Sequence, residues 1–275
     1  MISRRCGRNG GDADAEGGFA QCADEGCADA WGRGTVGNKH EPGRKSKPMI
    51  RLDRVTREYE GGVRALDTVT LEIAEREFVA STGPSGCGKS TLMQLIGGLD
   101  TPTSGEVYVN GLALHRAGDA ELTEYRRRSL GIVFQFFNLL PAMTVLENVS
   151  LPLLLAGKRL KPAREAAKAW LERVGLTNRW GHFPHQLSGG EMQRTAIARA
   201  LVHEPAVLLA DEPTGNLDSG NAAQVMETLQ KIASQRICTM VIVTHSEEVA
   251  RVPDRRIVMR DGKILTEALP QSRPT

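Results

Sequence analysis

Gly83-Pro84-Ser85-Gly86-Cys87-Gly88-Lys89-Ser90-Thr91 is the stretch whose reading decides the fold. Before it runs Phe78-Val79-Ala80, apolar enough for a buried strand. After it runs Leu92-Met93-Gln94-Leu95-Ile96, which reads as a helix. A strand, a glycine-rich loop and a helix at G-x-x-x-x-G-K-S spacing make a phosphate cradle. The glycines let the backbone turn sharply and aim several N–H groups at one spot. The helix N-terminus adds its partial positive charge there. Lys89 is placed to reach the β- and γ-phosphates of a nucleotide. Ser90 is placed to put its hydroxyl on magnesium, a cation commonly held by few protein ligands plus phosphates. A chance glycine loop would lack the flanking strand and helix.

The rest of the chain narrows the class. At 275 residues it suits one large domain or two small ones. The formal net charge of +2 leaves no nucleic-acid footprint. The richest apolar stretch, residues 136–156, is interrupted by Asn138, Pro141, Glu147, Asn148 and Pro152. It falls short of the ~18 uninterrupted residues of a membrane span, so any membrane role is expected through a partner. Five cysteines do not suggest a disulfide framework, and Cys87 and Cys238 read as reduced thiols of a cytosolic protein.

Residues 1–48 differ from everything after them: ten are glycine and almost none is aliphatic. Such a segment buries too little apolar surface to offset its ordering entropy. It is expected to be disordered and dispensable, with Met49 a candidate natural start. Ser3-Arg4-Arg5 has no apolar region behind it, which rejects a twin-arginine signal. Cys6, Cys22, Cys27 and His40 do not fit a common zinc spacing.

Beyond Met49, residues 50–56 and 69–73 alternate apolar and polar, as half-buried antiparallel strands do. Tyr59 is expected in a Gly-rich loop between them. Thr101 to Gly105 reads as a loop, Val107 to Val109 as a strand ending in an Asn110-Gly111 turn, and 121–128 as an exposed helix. Gly131 to Phe134 reads as a strand closed by Gln135. Helical patterns cover 144–154 and 164–174, the second capped by Gly175. Ser188 with Gly189 and Gly190 opens a helix expected to reach about His203, and makes a second anion site. The two glycines argue against a plain serine cap, because they weaken a first turn unless something approaches closely. The apolar run 207–210 reads as a doubly covered parallel strand ending in Asp211-Glu212. Beside a phosphate loop, one carboxylate of such a pair serves magnesium and the other takes a proton from, or orients, attacking water. Strand 240–244 delivers His245 to the same edge. A strand, Asp261-Gly262 and a last strand form a closing hairpin, and 266–275 is expected to fray.

Together these pieces resemble the ATP-binding subunit of an ATP-binding cassette (ABC) transporter over residues 49–265. The elements are the phosphate loop, Gln135, Leu187-Ser188-Gly189-Gly190-Glu191, Asp211-Glu212, Asn216-Leu217-Asp218 and His245, in that order. Glu191 stands where many members carry Gln. The resemblance implies an α/β P-loop ATPase with a mixed central sheet, an antiparallel β subdomain and a helical subdomain at about 136–186. It implies that Tyr59 stacks on adenine, that 83–91 holds the phosphates, and that Ser90, Gln135 and Asp211 serve Mg2+. Glu212 would be the catalytic base, His245 would steady the γ-phosphate, and Lys89 and Gln135 would complete the catalytic set. Ser188 and Gly190, with Gly189 between them, would serve the ATP of a second copy in a head-to-tail homodimer, and Asp218 would lie along that interface. The partner would be a transmembrane permease subunit, placing the chain on the inner face of the cell membrane, with no nucleic acid.

Thr214-Gly215-Asn216-Leu217-Asp218 and Gln135-Phe136-Phe137-Asn138-Leu139-Leu140-Pro141 look like the lipoprotein-release, macrolide-export and cell-division group. Phe136, Phe137, Leu139, Leu140 and Met143 fall where the family docks its permease, and about half are expected to point outward. The alternative is an importer ATPase. A DNA-repair or ribosome-associated ATPase is disfavoured, because about 100 residues separate Lys89 from Ser188 without sustained heptads, and the chain carries one cassette.

Overall fold

The computed structural model describes residues 48–268. The expectations for residues 1–47 and 269–275 lie outside the described residues.

Strands β1 (Ile50–Tyr59), β2 (Val63–Ile73), β4 (Ser104–Val109) and β5 (Leu112–Ala113) form an antiparallel sheet in the order β2-β1-β4-β5. The expected alternation is met, with Ile50, Leu52 and Val55 buried along β1. Tyr59 differs from expectation. It is the last residue of β1, paired with Val63, because the reversal is made by the two glycines that follow it. Ser104 and Gly105, expected in a loop, already belong to β4. Asn110 and Gly111 both take positive φ, as a tight hairpin turn requires.

The second sheet runs β10-β9-β3-β8-β7-β6. Its strands are β3 (Phe78–Thr82), β6 (Leu130–Val133), β7 (Val207–Asp211), β8 (Thr239–Thr244), β9 (Arg255–Arg260) and β10 (Lys263–Ala268). All are parallel except β10, which pairs antiparallel to β9. Pairing continues to Ala268 opposite Arg256, so residues 266–268 are strand rather than frayed chain.

Helices α1 (Lys89–Ile96), α2 (Asp119–Arg128), α3 (Val145–Leu155), α4 (Leu160–Arg173), α5 (Gly189–Leu201), α6 (Ser219–Ser234) and the short α7 (Glu247–Ala250) complete the fold. α5 stops at Leu201, two residues before His203. The core explains the continuous apolar runs. Val241 and Val243 join a cluster with α1 and the antiparallel sheet, whereas Met240 and Ile242 join one built from α3 to α6. The central sheet is thus covered on both faces, as a parallel sheet must be. Among the described residues no helix is long and apolar enough to cross a membrane.

Candidate active site

β3 is fully buried and delivers its chain end to the turn before α1. At that turn Gly88 takes φ 101°, and a Cβ there would lie 2.3 Å from the Ala65 carbonyl oxygen. Only glycine allows this approach, so β2 closes directly on the loop. Lys89 is 7% exposed. Its ammonium donates to the Gly83 carbonyl at 2.9 Å and the Pro84 carbonyl at 2.8 Å. Carbonyls hold the charge without cancelling it. The loop therefore presents a preplaced cation beside the open N–H groups of a helix start, a set that binds phosphate.

β7 and β8 pair in parallel with Asp211 opposite Val243. That register brings the residues just beyond them, Glu212 and His245, side by side. His245 Nδ1 lies 2.9 Å from Glu212 Oε1. Glu212 itself has φ 42°, an uncommon backbone for a residue with a side chain. Both side chains, with Ser85, Gly86, Lys89, Ser90 and Thr91, wall a cavity of about 510 Å³. Asp211 is half-buried behind it. Burial pushes its carboxyl above the ordinary range, Glu212 adds to the shift, and Lys89 opposes it.

Other expected residues surround this centre. A Cβ at Gly215 would lie 3.0 Å from Gln135 Nε2 and 3.2 Å from Glu212 Oε2, so Gln135 and Glu212 converge on that glycine. Asn216 straps the two loops together, donating from Nδ2 to the Gln135 carbonyl at 3.0 Å. Tyr59 is not among the cavity walls. Its hydroxyl donates to Asp100 Oδ2 at 3.1 Å, and the Arg57 guanidinium covers its ring at 4.6 Å.

Ser188, Gly189, Gly190 and Asp218 form a separate group. Ser188 caps α5: its hydroxyl oxygen accepts from Glu191 N at 3.2 Å, while Glu191 Oε2 accepts from Ser188 N at 2.8 Å. The serine cap, against which the two glycines argue, is therefore present. Gly190 has a packing reason too, because its Cβ would lie 2.2 Å from Asn221 Oδ1. Asn221 is held in turn by Asp218, the cap of α6. Since the Ser188 oxygen only accepts within the chain, its hydroxyl proton stays available to an outside anion. None of these four residues reaches the cavity over the phosphate loop.

Sequence reading missed Asn148 and Arg199. Asn148 is fully buried and bonds the backbone of Leu140, Met143 and Thr144, which shapes the segment after Gln135. Arg199 donates to the Phe137 and Asn138 carbonyls. The signal for Asn148 was available: an amide inside an apolar helical run needs partners.

The chain is similar to known proteins over nearly all its described length. The family described as "ABC transporter" matches residues 66–215. The lipoprotein-releasing system ATP-binding protein LolD of Geobacter metallireducens is 47% identical over 222 residues, 80% of this chain and 99% of that protein. The chain belongs to the ABC transporter family. It is an ATP-binding, ATP-hydrolysing member, as the sequence resemblance implied. An uncharacterized family member, MJ0796 of Methanocaldococcus jannaschii, is 46% identical over 226 residues, 80% of this chain and 96% of that one. The dimeric structure of MJ0796 matches with a TM-score of 0.75 and 44% identity, covering 82% of this chain and all of that one. A dimeric post-hydrolysis state of MJ0796 bound to ADP and Pi matches at 0.75 and 43%, with the same coverage.

Proposed function

We infer that this ATPase dimerises head to tail around two ATPs and drives a separate transmembrane subunit in a system of the lipoprotein-release and export type. The observation that carries the chemistry is the Glu212–His245 contact at 2.9 Å over the phosphate-loop cavity. Lys89 and the loop N–H groups hold the phosphates. The Glu212 carboxylate accepts the proton of the water that attacks the γ-phosphorus, and Gln135 orients that water. His245 steadies the γ-phosphate, and Tyr59 meets the adenine.

Magnesium fits the donors present. Ser90 offers an exposed hydroxyl at the first turn of α1, Asp211 a carboxylate at the end of β7, and Gln135 an amide oxygen. These are hard oxygen donors. Among the described residues no three His, Cys, Asp or Glu side chains gather as a metal site, so the phosphates must supply the remaining oxygens, as magnesium commonly accepts. Bound there, the ion would neutralise charge on the phosphates.

Ser188, Gly189, Gly190 and Asp218 lie outside the chain's own cavity, which supports their serving a second copy. Phe136, 72% exposed, and Leu140, 41% exposed, support docking of a membrane partner beside Gln135. Phe137, Leu139 and Met143 are half-buried, so two of the five point fully outward. The similarity to LolD supports lipoprotein release. The test is co-purification of the Glu212→Gln variant with ATP from its native membrane. A partner with few spans and a large extracytoplasmic domain is the expected result. A many-spanning partner with a solute-binding protein would turn the reading towards import.

A further inference from the structure

Glu191 sits in the first turn of α5, immediately after the paired glycines, and its carboxylate is spent inside the chain. One oxygen accepts from Ser188 N at 2.8 Å and the other from Arg179 Nε at 2.7 Å. A carboxylate at that place is good for the helix and bad for an anion-binding site. It answers the helix N-terminus with a full negative charge, the charge an approaching phosphate would bring. A neutral amide at this place would bring no such charge, so this chain must cancel the charge of its Glu by other means.

Arg179 lies in the turn between α4 and α5, twelve residues before Glu191 in sequence, and points its guanidinium at that carboxylate. The pair is only partly shielded, with Glu191 17% and Arg179 43% exposed. Arg194, one turn further along α5, also acts on Glu191, but its guanidinium is engaged by Gln224 Oε1 of α6 at 2.8 Å. Arg179 is thus the cation in direct contact. Burial alone would push the Glu191 carboxyl up, but the Ser188 N–H and Arg179 outweigh it and hold the group ionised.

We propose that Arg179 is a positioning residue for nucleotide-driven assembly: it neutralises Glu191 so that the Ser188-Gly189-Gly190 turn of one copy accepts the γ-phosphate of the ATP held by the other. The inference rests on the head-to-tail reading above. It assigns Arg179 a role that no contact with its own chain's nucleotide would reveal. A merely structural ion pair makes a different forecast. Breaking it, by Arg179→Gln or by Glu191→Gln, would then lower the Tm of the nucleotide-free monomer, and any loss of dimerisation would follow that loss of stability. Neutralisation makes the two substitutions unequal, because only the first leaves a bare carboxylate facing the phosphate.

The test measures ATP-driven dimerisation of the full chain by light scattering in a Glu212→Gln background. Arg179→Gln is expected to weaken the dimer about tenfold or more, since the remaining charge has lost its partner. Glu191→Gln alone is expected to dimerise at least as tightly as the parent, because a Gln oxygen can still accept from Ser188 N. The double variant Arg179→Gln/Glu191→Gln is expected to recover to within about threefold, a coupling that a double-mutant cycle reads directly. Undiminished dimerisation of Arg179→Gln overturns the proposal. So does a loss that Glu191→Gln fails to rescue. A Ser188→Arg chain is the control for the underlying reading: if it dimerises normally with ATP, the head-to-tail site itself falls, and the inference with it.

Discussion

The phosphate loop and the Ser188 turn are both helix starts rich in glycine, yet they are built to opposite ends. The first is enclosed. Lys89 is buried on two carbonyls, β2 closes against Gly88, and Glu212 and His245 complete a walled cavity. The second is open. Ser188 is exposed at the chain surface, no cavity wall closes over it, and its neighbours Asp218 and Asn221 belong to the start of α6. Their carboxylates differ in the same sense. Asp211 is held above the ordinary range by burial and by Glu212, whereas Glu191 is held below it by Ser188 N–H and Arg179 despite its own burial. One region is a finished site that one chain can load. On the proposed head-to-tail reading, the other is half of a site that a second chain completes.

Four substitutions sharpen or break that contrast. The largest effect is expected from Glu212→Gln, which removes the proton acceptor while leaving the cavity walls in place. Steady-state turnover should fall by about a thousandfold or more, within the range of a lost general base, with ATP binding retained. Turnover close to the parent's would remove Glu212 from its role. Lys89→Ala should weaken ATP binding to the isolated monomer about a hundredfold by deleting a charged phosphate contact, read by equilibrium titration. Gly190→Ala is the counterpart for the open site. Its Cβ would lie 2.2 Å from Asn221 Oδ1 and must displace it. Monomer affinity for ATP should hold while dimerisation weakens about tenfold. If Gly190→Ala changes monomer binding as Lys89→Ala does, the division into two kinds of site is wrong.

The smallest effect concerns Asp211. A carboxyl whose folded pKa lies above its unfolded value stabilises the fold in its protonated form. That contribution is full below the unfolded pKa and is lost as pH rises through the folded pKa. At neutral pH the ionised Asp211 therefore costs stability. Asp211→Asn should raise the Tm of the nucleotide-free protein by about 1–2 °C, a small gain because solvent still reaches the group. Scanning calorimetry without nucleotide checks this, and the gain should vanish in acid, where the parent is protonated too. An unchanged or lowered neutral Tm would contradict it.

Much of this was legible in the sequence because it is local. The phosphate loop, the strand ends at Asp211 and Thr244, and the Asn110-Gly111 and Asp261-Gly262 hairpins are each set by a few consecutive residues. The convergence of Glu212 and His245 followed from two apolar strands ending at one edge. What escaped was set by distant packing. Tyr59 stays in β1 because β2 pairs with it to the last residue, and the hydroxyl contact with Asp100 depends on where α1 ends. Residues 266–268 look too polar to order, yet β9 offers them a free edge. The Ser188 cap was misjudged because its two glycines serve Asn221 and Leu217 beside them, contacts no local pattern announces.

The central claim is that Ser188 of one copy completes the nucleotide site of the other. The most direct measurement mixes two defective chains, Lys89→Ala and Ser188→Arg, both in a Glu212→Gln background, and counts the ATP retained after rapid desalting. Each chain alone should retain none. In the mixed dimer one site joins an intact phosphate loop to an intact Ser188 turn, so the account predicts one ATP retained per mixed dimer. If Ser188 served its own chain's nucleotide, no chain in the mixture would hold both intact parts, and retention no better than either chain alone would contradict the account.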